Sequence, residues 1–224
     1  QIMRFSNLRG ALVTMPHKIS TLSLVDELTP TARIAGACNA ILKRPDGSLL
    51  GDMFDGAGFV RGVERKGRPF KGTRVLVSGS GGVGSAIAAS IAAAGAAELM
   101  LFDTNPASAE ALAGRLRAHY PQLVVRTGSK DPAGFDVVVN ATASSLAGGG
   151  VPVAAGVLKP GAQAVDMMYG AAAAGFMDWA RTHDAVPRDG LGMLVEQAAE
   201  AFEIWRGVRP PAAQVLAELR ATVG

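Results

Sequence analysis

Cysteine is almost absent from this chain of 224 residues, which contains only Cys38. A single cysteine excludes an internal disulfide and a cysteine-rich metal site. Aromatic residues make up only 5% and charged residues only 18% of the chain, and the formal net charge is +3. Because the basic residues are scattered and do not alternate with aromatic residues, we expect no nucleic-acid partner.

Long apolar runs are also missing. No segment reaches the roughly 18 consecutive apolar residues of a membrane-spanning helix, and none has the pattern of a signal segment. The alanine-rich stretch 86–97 is interrupted by Ser90 and Gly95, which favours a buried helix. Hydrophobic residues nevertheless make up 49% of the chain, enough for a sizeable core. The composition therefore predicts a globular cytoplasmic protein of two domains, without a membrane partner.

From residue 73 onward, strand-like and helix-like segments alternate along the chain. The strands are expected over 73–78, 98–102, 123–126, 136–140 and 163–167, and helices over 83–94 and 106–118. Such alternation indicates a parallel sheet that is covered by helices. The expected fold class is therefore α/β, with a doubly wound parallel sheet over 73–188.

Two further units flank this sheet in the sequence. Residues 1–66 are expected to form a smaller α/β domain. Its strands are expected over 11–14, 38–42 and 49–52, and its helices after Pro16 and over 56–65. The polar, glycine-rich segment 66–72 is the expected hinge between the domains. Residues 189–224 have the pattern of C-terminal helices, the last of which we expect to pack back on the smaller domain.

A glycine-rich turn follows the first strand of the larger unit. Its residues, Gly79-Ser80-Gly81-Gly82-Val83-Gly84, match the pattern G-x-G-x-x-G between a strand and a helix. Gly79 permits a tight turn, Gly81 lets the backbone approach a pyrophosphate, and Gly84 allows the helix to pack on the strand. The pyrophosphate would sit on the free N–H groups of the helix N-terminus. The motif predicts a Rossmann-type domain that binds a nicotinamide dinucleotide; the alternative is a glycine turn without a ligand.

Asp103 ends the second strand of this unit, within Leu101-Phe102-Asp103-Thr104-Asn105. A carboxylate at this position accepts hydrogen bonds from the adenosine ribose and repels a phosphate placed there. Thr104 and Asn105 supply no cation. NAD rather than NADP is therefore the expected cofactor, and the alternative role of Asp103 is to cap the helix that begins at Pro106.

Several segments resemble, in the same order along the chain, motifs of the shikimate dehydrogenase family. They are Val13-Thr14-Met15-Pro16-His17-Lys18, Gly36-Ala37-Cys38-Asn39, Gly51-Asp52-Met53-Phe54-Asp55-Gly56, Asn140-Ala141-Thr142, Val165-Asp166-Met167-Met168-Tyr169 and Asp189-Gly190-Leu191-Gly192-Met193-Leu194-Val195-Glu196-Gln197. The resemblance covers nearly the whole chain. It implies an oxidoreductase, monomeric or homodimeric, that transfers hydride between NAD and a ring hydroxyl of a shikimate- or quinate-like acid. Whether it serves aromatic amino acid biosynthesis or a catabolic route stays open.

The resemblance also implies the residues of the site. Lys18 and Asp55 would be the catalytic pair, because an alcohol that loses hydride must also lose its hydroxyl proton, which a lysine relays and a carboxylate orients. The substrate would be bound by Thr14, Asn39, Tyr169 and Gln197. The cofactor would contact Gly79, Ser80, Gly81, Gly82, Val83, Asp103, Thr104, Asn140, Thr142, Met167 and Gly190. Without the resemblance, Lys18 would be interpreted as an exposed helix residue and Asp55 as a helix N-cap.

The chain departs from the family pattern in three respects. Met53-Phe54 stands where the family has Asn-Thr, which predicts an apolar wall in the substrate cleft, and Asp103-Thr104-Asn105 stands where the family often has Asn-Arg-Thr. A preceding region of about fifty residues, with a Ser-x-Ser substrate motif, is not in this sequence.

These departures leave two alternative functions open. One is an aminoshikimate-type or other cyclitol-acid dehydrogenase. Another is a dinucleotide-binding module without turnover, favoured if Lys18 and Asp55 lie far apart or if Phe54 fills the cleft.

Overall fold

The structure, a computed structural model, describes residues 2–65, 69–146, 148, 150–154 and 156–223. Within these ranges the strands form one six-stranded and one four-stranded sheet. The division of the chain into domains at 66–72 stays a prediction, and Lys66, Gly67 and Arg68 lie outside the described residues.

The larger sheet carries the glycine-rich turn. Its strands are β5 (Arg74–Ser78), β6 (Glu98–Phe102), β7 (Val124–Thr127), β8 (Val137–Asn140), β9 (Gln163–Asp166) and β10 (Val186–Arg188). They run parallel in the order β10-β9-β8-β5-β6-β7. This is the strand order of doubly wound dinucleotide-binding sheets, in which the chain adds strands first on one side of the first strand, β5, and then on the other. The predicted α/β class and Rossmann-type sheet are confirmed.

The smaller sheet is mixed. Its strands are β1 (Gly10–Leu12), β2 (Glu27–Leu28), β3 (Ala40–Lys43) and β4 (Leu49–Asp52), in the order β1-β3-β4-β2. The hairpin between β3 and β4 closes through Asp46, whose carboxylate accepts hydrogen bonds from the backbone N–H and the hydroxyl of Ser48. An Asp that bonds the residue two positions on, followed by Gly47 at a φ of 88°, is the turn chemistry expected of this sequence.

Helices connect and cover both sheets. They are α1 (Pro30–Ala35), α2 (Asp55–Glu64), α3 (Gly82–Ala93), α4 (Pro106–His119), α5 (Ala174–Thr182), α6 (Leu191–Arg206) and α7 (Ala212–Val223), with short 3-10 helices at Ile2–Arg4, Ser20–Leu24 and Gly170–Ala173. At the start of α4, Asn105 accepts a hydrogen bond from the Ala107 N–H, and Pro106 occupies the first helical position. Both features favour a helix start at this point.

Helix α2 links the two sheets and brings the larger unit close to the smaller one. Two of its glycines make this possible: a Cβ at Gly56 would collide with the carbonyl oxygen of Ala86 in α3, and a Cβ at Gly58 would lie 2.8 Å from the backbone nitrogen of Gln197 in α6. The start of α2 therefore lies directly against both helices. Helix α7 packs on α6 through Ala212 and Leu216, and its Arg220 pairs with Asp189. The packing of α7 on the smaller domain, which the sequence predicted, stays a prediction.

In the described part of the chain, no helix is both long and apolar enough to cross a membrane.

Candidate active site

Lys18 and Asp55 meet in the cleft between the two sheets. The Lys18 Nζ donates to Asp55 Oδ2 over 2.5 Å, and the two side chains are 14% and 5% exposed. Lys18 lies in the turn after β1, while Asp55 is the first residue of α2. Helix α2 is capped by Phe54 without a side-chain hydrogen bond, so Asp55 is not the N-cap that the simpler interpretation suggested. The structure thus joins the two predicted catalytic residues.

Asn39 extends this pair into a hydrogen-bond network. Its Nδ2 donates to Asp55 Oδ1 over 2.8 Å and to Gln197 Oε1 over 3.2 Å, while its Oδ1 accepts from the Phe54 N–H over 2.8 Å. Asn39 is 2% exposed, so its amide is fixed by these partners. The network brings together a cation, a carboxylate and two amides from both ends of the chain.

The other two predicted substrate ligands are less constrained. Thr14 and Tyr169 are exposed, Tyr169 by 39%. Neither side chain hydrogen-bonds to the Lys18 network within the described ranges. Their assignment as substrate ligands stays a prediction.

The expected apolar wall at Met53-Phe54 is wrong. Met53 is 1% exposed and packs with Ala32, Ala35 and Ala37, and Phe54 is 5% exposed and packs with Ala40 and Ala201. Both side chains belong to the core because the chain turns from β4 into α2 at this point. Phe54 therefore does not fill the cleft, and Lys18 and Asp55 are not far apart; both observations count against the non-catalytic binding module.

The glycine-rich turn has the geometry of a phosphate cradle. Gly79 has a φ of 103°, a Cβ at Gly84 would collide with the carbonyl oxygen of Gly79, and a Cβ at Gly81 would meet nothing within 4 Å. The turn is thus tight at Gly79 and Gly84 and open at Gly81, where α3 begins. Ser80 is 8% exposed, and its Oγ is buried without a hydrogen-bond partner in the described part of the chain. An unpaired buried hydroxyl beside free helix N–H groups fits the pyrophosphate of a dinucleotide.

This turn lies next to the Lys18 network. A Cβ built at Gly82 would be 3.7 Å from the Cβ of Lys18 and 3.3 Å from that of Ala37. The start of α3 in the larger unit therefore contacts the smaller unit at the lysine itself. A dinucleotide that begins at the turn would extend along this cleft.

A buried polar cluster holds the loop that follows β8. Asn140 accepts hydrogen bonds from the N–H and hydroxyl of Thr142 and donates to Asp166 Oδ2 over 3.0 Å. Asp166 is fully buried and also accepts from Ser145 and from the Met168 N–H. Burial raises the pKa of the Asp166 carboxyl, although these hydrogen bonds oppose the change. The cluster fixes the ends of β8 and β9 on the cleft side of the sheet.

Met167 and Gly190, the predicted nicotinamide contacts, lie against one another at this edge. A Cβ at Gly190 would collide with the carbonyl oxygen of Met167, and the Gly190 N–H donates to the Met168 carbonyl over 2.9 Å. Only glycine fits there. Their role toward a cofactor stays a prediction.

Comparison with known proteins identifies the family. Residues 1–41 match the Shikimate dehydrogenase substrate binding domain, and residues 190–220 match the Shikimate 5'-dehydrogenase C-terminal domain. A shikimate dehydrogenase (NADP(+)) from Verminephrobacter eiseniae is 46% identical over 95% of this chain and 75% of its own length, and one from Paracidovorax citrulli is 48% identical over 95% and 77%. The chain belongs to the shikimate dehydrogenase family. The crystal structure of the Thermus thermophilus shikimate 5-dehydrogenase in complex with shikimate has a TM-score of 0.84 and 30% identity, and covers 100% of this chain and 81% of that one.

The expected NAD preference is wrong. Shikimate dehydrogenases that are 46–48% identical to this chain are named for NADP(+). The contacts of Asp103 give a physical reason for the error. Asp103 Oδ2 accepts from the Ser80 N–H over 2.7 Å and Oδ1 from the Asn105 N–H over 2.9 Å. Its carboxylate therefore holds the glycine-rich turn to the end of β6. Asn105, not Asp103, caps α4.

The sequence analysis missed the structural role of Asp166, the carboxylate at the centre of the buried polar cluster. It stands within the quoted motif Val165-Asp166-Met167, yet no role was assigned to it. A charged residue at the end of an apolar strand was the available signal, because a buried carboxylate must be paired by hydrogen bonds.

Proposed function

We propose that this chain catalyses the reversible, NADP-dependent reduction of a ring ketone to a hydroxyl on a cyclic hydroxy acid of the shikimate type. The observation that carries the proposal is the Lys18–Asp55 pair at 2.5 Å beside the glycine-rich turn. The family membership favours shikimate as the first substrate to test.

Lys18 supplies the proton in this proposal. In the reduction, its ammonium donates a proton to the ketone oxygen, and in the oxidation it takes the hydroxyl proton back. Asp55 holds the Lys18 side chain in one position, because its Oδ2 accepts from the ammonium while its Oδ1 accepts from the amide of Asn39. When bound, the nicotinamide supplies or accepts the hydride. Proton and hydride together convert ketone to alcohol without another reactant.

Asn39 and Gln197 are the proposed substrate-recognition groups. Their amides are hydrogen-bonded to each other over 3.2 Å, so a hydroxyl group of the ring could join the same network as donor or acceptor. A ring lacking that hydroxyl would leave a buried amide unpaired, and such a loss gives strong discrimination. Thr14 and Tyr169 are exposed and would complete the contacts.

The glycine-rich turn is the proposed site of the dinucleotide pyrophosphate, with the Ser80 hydroxyl as an additional donor. The extra phosphate of NADP needs a cation that residues 103–105 do not provide. Lys130 supplies it in this proposal, since its Nζ is 5.8 Å from the ring centroid of Phe102, the residue before Asp103. Lys130 follows β7, which neighbours β6.

The test is a steady-state assay of the purified chain with shikimate, quinate and an aminated analogue, each with NADP and with NAD. We expect turnover of shikimate with NADP that is lost in Lys18→Met. Turnover confined to quinate or to the aminated acid would replace the proposed substrate. A folded chain that binds NADP but oxidises none of the acids would contradict the enzyme assignment.

A further inference from the structure

A cavity lies beside the candidate active site and, among the predicted site residues that the structure describes, shares only Gly190 with it. The cavity has a volume of about 560 Å³ and is bounded by the second half of α2, the start of α6, the segment from Gly170 into α5, the end of β10, and α7. Lys18, Asp55, Asn39 and Gln197 are not among the described residues that line it. We call this space the arginine cavity, because Arg65, Arg181, Arg188 and Arg220 line it.

These arginines differ in their partners. Arg65 pairs with Glu196, Arg181 with Asp178 over 2.6 Å, and Arg220 with Asp189. Arg188 has no carboxylate partner within the described ranges. Its Nε donates over 2.9 Å to the amide oxygen of Gln163, which is itself 4% exposed.

Within the described residues, Arg188 is therefore a partly buried cation that pairs with neither of the carboxylates lining the cavity, Asp178 and Asp189. Burial lowers the pKa of Arg188, which reflects the cost of keeping a charge away from water. Because Nε is occupied, the two terminal nitrogens remain as a planar pair of donors. That fork matches the two oxygens of a carboxylate.

Apart from these arginines and the carboxylates of Asp178 and Asp189, the lining is mostly apolar. Phe59, Val63, Val165, Met177, Met193 and Leu216 supply most of the remaining surface. The volume is in the range of small-molecule sites, which combine apolar walls with a few fixed polar groups. An occupant would thus carry one anionic group for Arg188 and an apolar body for these walls.

We propose that the arginine cavity is a second ligand site, which binds a small carboxylic acid with an unsubstituted apolar ring or chain. The carboxylate is held end-on by Arg188, and the apolar body lies against Phe59 and Met193. A phosphate is the competing anion, but its tetrahedral oxygens match the planar fork less well, and it offers nothing to the apolar walls.

The experiment is calorimetric titration of the full chain with benzoate and, separately, with inorganic phosphate. We expect benzoate to bind at a single site with unchanged affinity in the presence of saturating shikimate, and phosphate to bind more weakly. Arg188→Gln should weaken benzoate binding by about tenfold or more, as expected for a charge-assisted hydrogen bond. The matched control Arg126→Gln, at an exposed arginine that pairs with Glu98 and does not line the cavity, should bind as the parent does.

Ala171→Trp gives an independent test should Arg188→Gln not fold. Ala171 is an exposed residue at the cavity rim, so a large side chain there should block the cavity without disturbing the core. Loss of benzoate binding in this variant supports the proposal. Absence of benzoate binding to the parent, equal affinity in Arg188→Gln, tighter binding of phosphate than of benzoate, or displacement of benzoate by shikimate would each overturn it. None of these outcomes depends on catalytic turnover, so they are separable from the proposed function.

Discussion

Lys18→Met tests the proposed proton relay most directly. The substitution keeps the apolar stem and removes the ammonium that lies 2.5 Å from Asp55. General acid–base groups typically contribute about 10² to 10⁴ in rate, so kcat should fall by that factor, with a much smaller change in the KM for NADP. The KM should change little because Lys18 meets the glycine-rich turn only through its stem, near Gly82.

The same substitution also affects stability, and the two effects must be separated. Asp55 is only 5% exposed and keeps just its hydrogen bond from Asn39 once the cation is removed. Removing one partner of a fully buried ion pair lowers the free energy of unfolding by about 3–5 kcal/mol. Because Lys18 is 14% exposed, we expect the loss in Lys18→Met to be smaller than this. Asp55→Asn provides the matched variant, because its amide oxygen can still accept from Asn39 while its charge is gone.

The assay follows the absorbance of reduced nicotinamide during shikimate oxidation, alongside thermal unfolding of each variant. Lys71→Met, at an exposed lysine of the larger unit, serves as the control and should retain parental kinetics. A fall in kcat of less than about tenfold in a folded Lys18→Met chain would refute the reasoning, since this corresponds to only about 1.4 kcal/mol of the barrier.

Three other predictions concern the cofactor side of the cleft. Gly81→Ala should fold normally and weaken NADP binding, because its Cβ meets nothing in the protein. Gly84→Ala should instead lower the free energy of unfolding by about 1–3 kcal/mol, because its Cβ collides with backbone. Chemical denaturation and NADP titration of both variants separate the two cases. Lys130→Met should raise the KM for NADP about tenfold and leave that for NAD unchanged, and an equal change for both cofactors would show that Lys130 does not contact the extra phosphate. Folding raises the pKa of Asp166, so between the unfolded and folded pKa values the folded chain binds more protons than the unfolded chain. The free energy of unfolding, measured by urea unfolding, should therefore fall as pH rises through that window. If Asp166→Asn showed the same dependence of this free energy on pH as the parent, the prediction would be contradicted.

The larger sheet was predictable because its signals are local. The strand at Glu98–Phe102 was predicted with its observed bounds, and the glycine motif lies where a strand meets a helix, as its chemistry requires. Helix α5 and strand β10 were not predicted. The alanine run before α5 has no apolar periodicity, and β10 has only three residues, one of them Pro187.

The errors at the site come from contacts between residues far apart in sequence. Asp103 was assigned to a ribose because its position directly after β6 fits that role. Its partner in the structure, the Ser80 N–H, can be identified only once the strands are placed side by side. Phe54 was assigned to the cleft because Met53-Phe54 stands where the family has Asn-Thr. Neighbouring side chains at the junction of a strand and a helix point in different directions, and here Asp55 faces the cleft while Phe54 enters the core.

The distance between Lys18 and the glycine-rich turn depends on small residues that take no part in the chemistry themselves. The two units approach through backbone contact between Gly56 and Ala86, and this contact sets how closely Gly82 lies against Lys18. Proton transfer and hydride transfer must occur on adjacent atoms of one substrate, so the spacing between these units determines whether both groups reach it. A larger side chain at position 56 would separate α2 from α3 and, with them, the carboxylate partner of Lys18 from the cofactor turn. Gly56 is therefore required by the geometry of the site as much as by the packing of the fold.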